Sequence, residues 1–222
     1  MKRFLKDNRG FIAFLVCFGF FRLAIADWNP IPSGSMRPTL VEGDVVLVNR
    51  LAYDFKLPLS DVSLLQTGTP QRGDVITFNS PKDGTRLIKR LVAVPGDVVE
   101  LRDEVLSING VRADYGGAHA TTEPLEHGTS TAALQATEHI AGNTRTVQFL
   151  PDVAALRNFG PIAVPQDHYF FLGDNRDNSA DSRFIGLVPR HLLIGRAHHI
   201  VVSADIKGDW MPRLERTVQR IL

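Results

Sequence analysis

The chain has 222 residues, room for one domain or one domain with a sizeable insertion. Hydrophobic residues make up 44% and charged residues 22%, a globular balance, and a formal net charge of +1 offers no basic excess for nucleic acid and no acidic tail. The single cysteine, Cys17, excludes an intrachain disulfide, so a body working outside the cytoplasm must hold together by its hydrophobic core.

At the N-terminus, Lys2, Arg3, Lys6 and Arg9 precede an uncharged run from Phe11 to Phe21; Arg22 interrupts it, and Leu23 to Trp28 continues mostly apolar. A helix over 11–28 would span about 27 Å at ~1.5 Å per residue, close to the ~30 Å of a bilayer's hydrocarbon core. Arg22 would snorkel to the far interface, which also suits Trp28. The leading cations then put residues 1–9 in the cytoplasm and 10–28 across the inner membrane as a single-pass anchor. The rest lies on the outer, periplasmic face. A cleaved secretory signal is the alternative, because Ala24-Ile25-Ala26 fits a small-x-small cleavage site. Both readings export the body.

From residue 41 the pattern turns strand-like. "DVVLVNRL" and "GDVITFNS" are short β-branched runs, each opened by Gly-Asp. "RLIKRLVAVPGDVVEL" is longer and is broken by Pro-Gly-Asp. "VLSINGV" predicts a hairpin with Asn109-Gly110 at its tip. Residues 112–145, rich in Ala, Thr, Gly, His and Glu with little periodicity, are expected to form a surface insertion. The β pattern resumes at "TVQFL", "QDHYFFLGDN" and "LLIGRAHHIVVSAD". The tail "MPRLERTVQRIL" is basic and weakly amphipathic, either a solvated end or a segment lying on an anionic membrane. The expected fold is mainly β, with a folded-sheet or barrel-like core.

"IPSGSMRP" places Ser33, Gly34 and Ser35 between Pro32 and Pro38, a stiff turn on which a serine is either an ordinary loop residue or a nucleophile with backbone N–H groups beside it. A nucleophile needs a base. None of the seven histidines (119, 127, 139, 168, 191, 198 and 199) comes with a Gly-x-Ser-x-Gly elbow, and no His-Glu-x-x-His is present. Lys89 is the other candidate. Strand alternation puts it on one face with Leu87, Leu91 and Ala93, and apolar surroundings lower a lysine's pKa. At its ordinary pKa only about one lysine in 800 is neutral at pH ~7.5, a handicap of roughly 4 kcal/mol; burial can shift a lysine by ~3–5 units. The alternative is a stem that covers apolar surface while the ammonium reaches water. "GDNRDNSADSR", residues 173–183, is a loop dense in Asx and Ser groups. It fails as a calcium loop, because Arg176 falls where an oxygen ligand is needed and no glutamate closes it. No metal or cofactor is expected.

"PSGSMRPTL", "RGDVITF", "LIKRLVAVPGD" and "GDNRDNSADSR", in that order after an N-terminal anchor, closely resemble the bacterial type I signal peptidases, the Ser/Lys endopeptidases of the S26 family. The resemblance covers most of 30–101 and 166–200. It implies a mainly β catalytic core from 29–102 and 166–222, with 103–165 as an inserted subdomain. It also implies that Ser35 is the nucleophile and Lys89 the general base. Ser33 and the Ser35 N–H would hold the oxyanion, and Ser179 would orient the lysine. Gly173, Asp174, Asp181, Arg183 and Arg90 would brace the site, with an Asp174–Arg90 ion pair. Ile31, Pro32, Met36, Leu40, Leu87 and Ile88 would line the substrate pockets. The implied partners are signal-peptide-bearing preproteins, membrane lipid and a nearby secretion translocon, with no nucleic acid. This chain has one apparent membrane segment where many Gram-negative members have two, it lacks a cysteine pair found in some members, and Asn29 with "NPIP" replaces a more apolar approach to the serine. Two other functions fit the same residues: a conjugation-type processing peptidase with one dedicated substrate, and a non-catalytic, membrane-tethered β-domain that binds exported peptides. A repressor-type autoprotease would bring a DNA-binding module and a basic surface, and neither is visible.

Overall fold

The structure, a computed structural model, describes residues 8–57, 60, 62–124 and 129–221. Lys2, Arg3, Lys6 and His127 lie outside the described residues. The chain is mainly β. A helix, α1 (Arg9–Ala24), leads into β1 (Ala26–Pro30), the edge of an eight-stranded antiparallel sheet curled into a half-barrel. From β1 the order is β2 (Asp44–Asn49), β16 (Leu193–Ser203), β5 (Val75–Asn79), β6 (Arg86–Ala93), β14 (His168–Leu172) and β15 (Val188–Pro189), with β17 (Gln219–Arg220) added to β16.

Local pattern explains most of these strands. In β2, buried Asp44, Val46 and Val48 alternate with half-buried partners, the period-two signature of one covered face. At the predicted hairpin, β8 (Val105–Ile108) turns into β9 (Val111–Arg112) through Asn109 and Gly110, both at positive φ (52° and 79°). That is the geometry of the tight turn that Asn-Gly favours. Short β3 (Asp54–Lys56) and β4 (Ser63–Gln66) pair with each other outside the main sheet.

Between β6 and β14, which are hydrogen-bonded neighbours, the chain builds two smaller sheets. One joins β13 (Phe159–Ala163), β7 (Val98–Arg102), β8 and β9. The other joins β10 (Asp114–Pro124), β11 (Ser130–Ile140) and β12 (Asn143–Phe149). Within 112–145 the described residues are therefore mostly long antiparallel strands, where the composition showed little periodicity. Their alternation is real but is carried by small and charged side chains. Ala133, Ala136, Glu138 and Ile140 point inward along β11, and Glu123 does so on β10.

A further expectation is corrected. The helix expected over 11–28 stops at Ala24. The next residues pair as a strand with β2, because Asp27 and Asn29 are buried against the sheet and Asp27 accepts the Trp28 N–H. At ~1.5 Å per residue the remaining 16-residue helix is about 24 Å long, and among the described residues no helix is long and apolar enough to cross a membrane. The tail forms a 3-10 turn at Leu214–Arg216 and the short β17, which pairs with β16. Arg216 holds it down through Asp44.

Two core clusters fix the site. Ile31, Met36, Leu40, Val46, Val48, Val75, Ala197 and Ile200 pack beneath the turn at 31–38. Ile76, Phe78, Leu91, Phe171 and Leu193 fill the space around the middle of the main sheet.

Candidate active site

Ser35 sits on a 3-10 turn, Gly34–Met36, whose last residue, Met36, is fully buried in the first cluster. The first turn of a helix leaves its N–H groups without intrahelical acceptors, so the Ser35 N–H is a donor set beside its own hydroxyl. At Gly34 the constraint is tight space, not unusual φ. A Cβ there would stand 3.0 Å from Glu123 Oε1 and 3.1 Å from Arg37 Nε.

Lys89 enters from the middle of β6. Its Nζ lies 2.6 Å from Ser35 Oγ and donates to the Ile88 carbonyl at 3.0 Å. The side chain is 3% exposed. Burial pulls the amine down from 10.5 to about 8, while the Asp181 and Asp174 carboxylates pull it up. Of the two sequence alternatives for Lys89, the snorkelling stem is thus not what the structure contains. Ser33 is exposed, with its Oγ 3.4 Å from Ser35 Oγ.

The 173–183 loop wraps this pair. Gly173 packs so tightly that a Cβ on it would overlap the Ser35 carbonyl oxygen and Ser179 Oγ. Its N–H donates to Asp181 at 3.0 Å, and Asp181 is gripped by Arg183 through 2.8 Å contacts. Asp174 pairs with Arg90 through two bonds of 2.8 and 2.7 Å, both side chains being buried, and accepts from Thr39. Ser179 is brought beside the pair, but its buried Oγ has no hydrogen-bond partner among the described residues; the second Lys89 contact is to Ile88. Of the residues assigned to pocket walls, Ile31, Met36 and Leu40 are buried, Leu87 and Ile88 half-buried and Pro32 exposed. Pro32, Leu87 and Ile88 are therefore the members of this set that keep appreciable exposed surface. Gly173→Ala is expected to push the Ser35 turn away from Lys89 and to lower kcat/KM about 10²-fold, since a displacement of ~1 Å at the reacting groups suffices for that. Steady-state cleavage beside a circular dichroism check of the fold reads this directly.

Sequence reasoning missed how the turn is anchored. Asn175 donates its N–H to the Ser35 carbonyl at 3.2 Å and its Nδ2 to the Gly34 carbonyl at 3.1 Å. Bonding the Gly34 oxygen fixes the Gly34–Ser35 peptide plane, and hence the direction of the Ser35 N–H. The same Nδ2 reaches Glu123 Oε1 at 3.1 Å; Glu123 is also held by Gln148 and Arg37. Arg176, the residue that spoiled a calcium loop, is buried against Glu138 beside Arg145. Burial raises the Glu138 carboxyl, but the Arg176 and Arg145 charges outweigh it and hold it at about 2. Glu123 and Glu138 carried no signal: Glu123 meets Arg37 and Asn175 on two separate loops, and Glu138 meets Arg145 and Tyr115 across neighbouring strands and Arg176 in the 173–183 loop.

The family model described as "Signal peptidase, peptidase S26" matches residues 3–202. The chain belongs to the peptidase S26 family of signal peptidases. Among similar proteins, "Signal peptidase I" of Pseudomonas fluorescens is 40% identical over 205 residues, covering 84% of this chain and 68% of that protein. The protein of the same name from Pseudomonas aeruginosa is 34% identical over 202 residues, with the same coverages. That from Rickettsia felis is 32% identical over 222 residues, covering 90% of this chain and 81% of its own. Membership of this family makes the chain a peptidase and removes the non-catalytic β-domain from consideration.

Proposed function

We propose that this chain is a membrane-anchored serine endopeptidase that removes signal peptides from exported preproteins after a small-x-small motif, with Ser35 as nucleophile and Lys89 as general base. The observation that carries the reading is the 2.6 Å contact between Ser35 Oγ and a buried lysine amine. With its pKa at about 8, roughly a quarter of the Lys89 amines are neutral at pH ~7.5, against about one in a thousand for an exposed lysine. Neutral Nζ takes the Ser35 proton as Oγ attacks the scissile carbonyl. The Ser35 N–H, oriented through Asn175, and the Ser33 hydroxyl receive the developing oxyanion. The Lys89 ammonium then protonates the leaving amine, and a water activated by the same lysine releases the acyl group.

An extended substrate has a place to lie. β14 pairs with β6 only at Arg90, Leu91 and Ala93, so residues 86–89 offer backbone groups on that side for an added strand. Leu87, Ile88 and Pro32 then flank the peptide, which favours small side chains near the bond. The anchor is supported by α1, along which Phe11, Phe14, Val16, Phe18 and Phe20 stand exposed and would need a bilayer to cover them. On this reading the body faces the outer side, where preproteins emerge from the translocon.

The test is the pH dependence of preprotein cleavage. Because the neutral amine is the reactive form, kcat/KM is expected to rise with pH through a single ionisation near 8 and then level off. A profile that is flat from pH 6 to 10, or one that rises near 6.5 as a histidine would make it, overturns the assignment of Lys89.

A further inference from the structure

Glu123 comes from β10, in one of the two sheets built between β6 and β14, yet its carboxylate lies against the Ser35 turn of the main core and is 2% exposed. Its Oε1 sits where a Cβ on Gly34 would meet it at 3.0 Å. The same oxygen accepts from Asn175 Nδ2 at 3.1 Å, and Oε2 accepts from Gln148 Nε2 at 3.0 Å and from Arg37 Nη1 at 3.2 Å. All three neighbours donate, so the position needs a group that accepts at both of its ends. A carboxylate does so, whereas an amide turns an N–H towards one of the donors. Glu123 thereby holds the turn on both sides of the nucleophile. Arg37, two residues after Ser35, is drawn between Glu123 and Glu42, and Asn175, tied to Glu123, bonds the Gly34 carbonyl before it.

Asn175 is fully buried, and its Oδ1 has no hydrogen-bond partner among the described residues. The rotation of its amide is therefore set at Nδ2, by the Gly34 carbonyl and Glu123 Oε1 together. The bond to the carboxylate is the stronger kind of the two. We propose that Glu123 is a positioning residue for the oxyanion donor: it fixes the Asn175 amide, which fixes the Gly34–Ser35 peptide plane and so aims the Ser35 N–H. The proposal rests on the Ser35–Lys89 reading above. It makes the β10–β11–β12 sheet, which carries neither Ser35 nor Lys89, a determinant of the rate. Oxyanion charge develops only on the way to the transition state, so the aim of this donor acts on kcat and not on substrate binding. The carboxylates that raise the Lys89 amine are Asp181 and Asp174, so Glu123 leaves the titration of the base where it is.

The test measures kcat, KM and the pH–rate midpoint of preprotein cleavage by the full chain in detergent, with circular dichroism to score the folded fraction. It compares wild type, Glu123→Gln, Glu123→Ala, Asn175→Ala and the double variant Glu123→Ala/Asn175→Ala. Both Glu123 variants are expected to lose about 30-fold in kcat, with KM and the midpoint at their wild-type values. Because Glu123 acts through Asn175, the double variant is expected to lose no more than Asn175→Ala alone. Wild-type kcat in the Glu123 variants overturns the proposal. A loss that falls on KM, a displaced midpoint, or losses that multiply in the double variant overturn it too, since each assigns Glu123 to something other than the donor. Should the alanine variants fail to fold, kcat, KM and the midpoint of Glu123→Gln, which is close to the native side chain in volume, decide alone. Ser35→Ala separates the two levels. Cleavage by it overturns the nucleophile and this proposal together, whereas an inactive Ser35→Ala beside fully active Glu123 variants overturns only the positioning role.

Discussion

Lys89→Met is expected to abolish preprotein processing and, at the same time, to make the protein more stable. The two effects have one cause. The unfolded chain keeps Lys89 in water with its pKa at 10.5, whereas burial in the folded chain lowers it to about 8. Between those two values the unfolded chain holds the extra proton, so stability rises with pH across that window. Below 8 both states are protonated and burial of the charge costs about 3 kcal/mol. Methionine has a similar length and no charge, so it removes that cost. A gain of this size raises Tm by about 6–12 °C in a domain of this length. Catalysis moves the other way, because without a base the serine loses about 10³-fold or more in kcat/KM. Lys89→Arg separates the two effects: its guanidinium stays charged, so activity is lost with no gain in Tm. Ser35→Ala loses activity with Tm nearly unchanged. A Lys89→Met protein that still cleaves, or whose Tm falls, would show that the buried amine is not held at a cost for the sake of the serine.

What the sequence disclosed follows from how local each signal is. The Ser35 turn, the Lys89 strand and the 173–183 loop are each contiguous stretches, and the structure brings all three within contact of one another. The pairing of Arg90 with Asp174 was also open to sequence reading through the resemblance, and it is present. By contrast, the role of Asn175 stayed hidden within a motif already quoted. Its two acceptors lie on the Ser35 turn and its carboxylate partner on β10, contacts that no spacing in one strand reports. β10 and β11 were missed because hydrophobic alternation was the probe, whereas their inward positions hold alanine and glutamate. The end of α1 was misread because Asp27 was passed over inside a run read as mostly apolar up to Trp28. Buried Asp27 accepts the Trp28 N–H where the chain has left the helix and pairs with β2.

Asp174→Ala is the second large expected effect, and it acts on both stability and catalysis. Arg90 and Asp174 are 2% and 1% exposed and bonded through both oxygens, with Thr39 as a third partner. Removing the carboxylate takes from a buried guanidinium the partner that bonds it through both oxygens, a loss that costs about 3–5 kcal/mol in other buried pairs. At about 2–4 °C per kcal/mol, Tm falls by roughly 6–20 °C. Asp174 is also one of the two carboxylates that raise the Lys89 amine. Its loss pushes that amine further down. The midpoint of the pH–rate profile is therefore expected below 8, in a protein that is less stable yet has a larger neutral fraction of its base at neutral pH. Replacing both partners, Arg90→Met with Asp174→Leu, removes the buried guanidinium as well, and most of the lost Tm is expected to return. Measuring Tm and the pH–rate midpoint on all three variants separates the two roles. If Tm falls while the midpoint stays at its wild-type value, the pair is a structural brace without electrical influence on Lys89. A midpoint that moves upward contradicts the electrostatic account of the base.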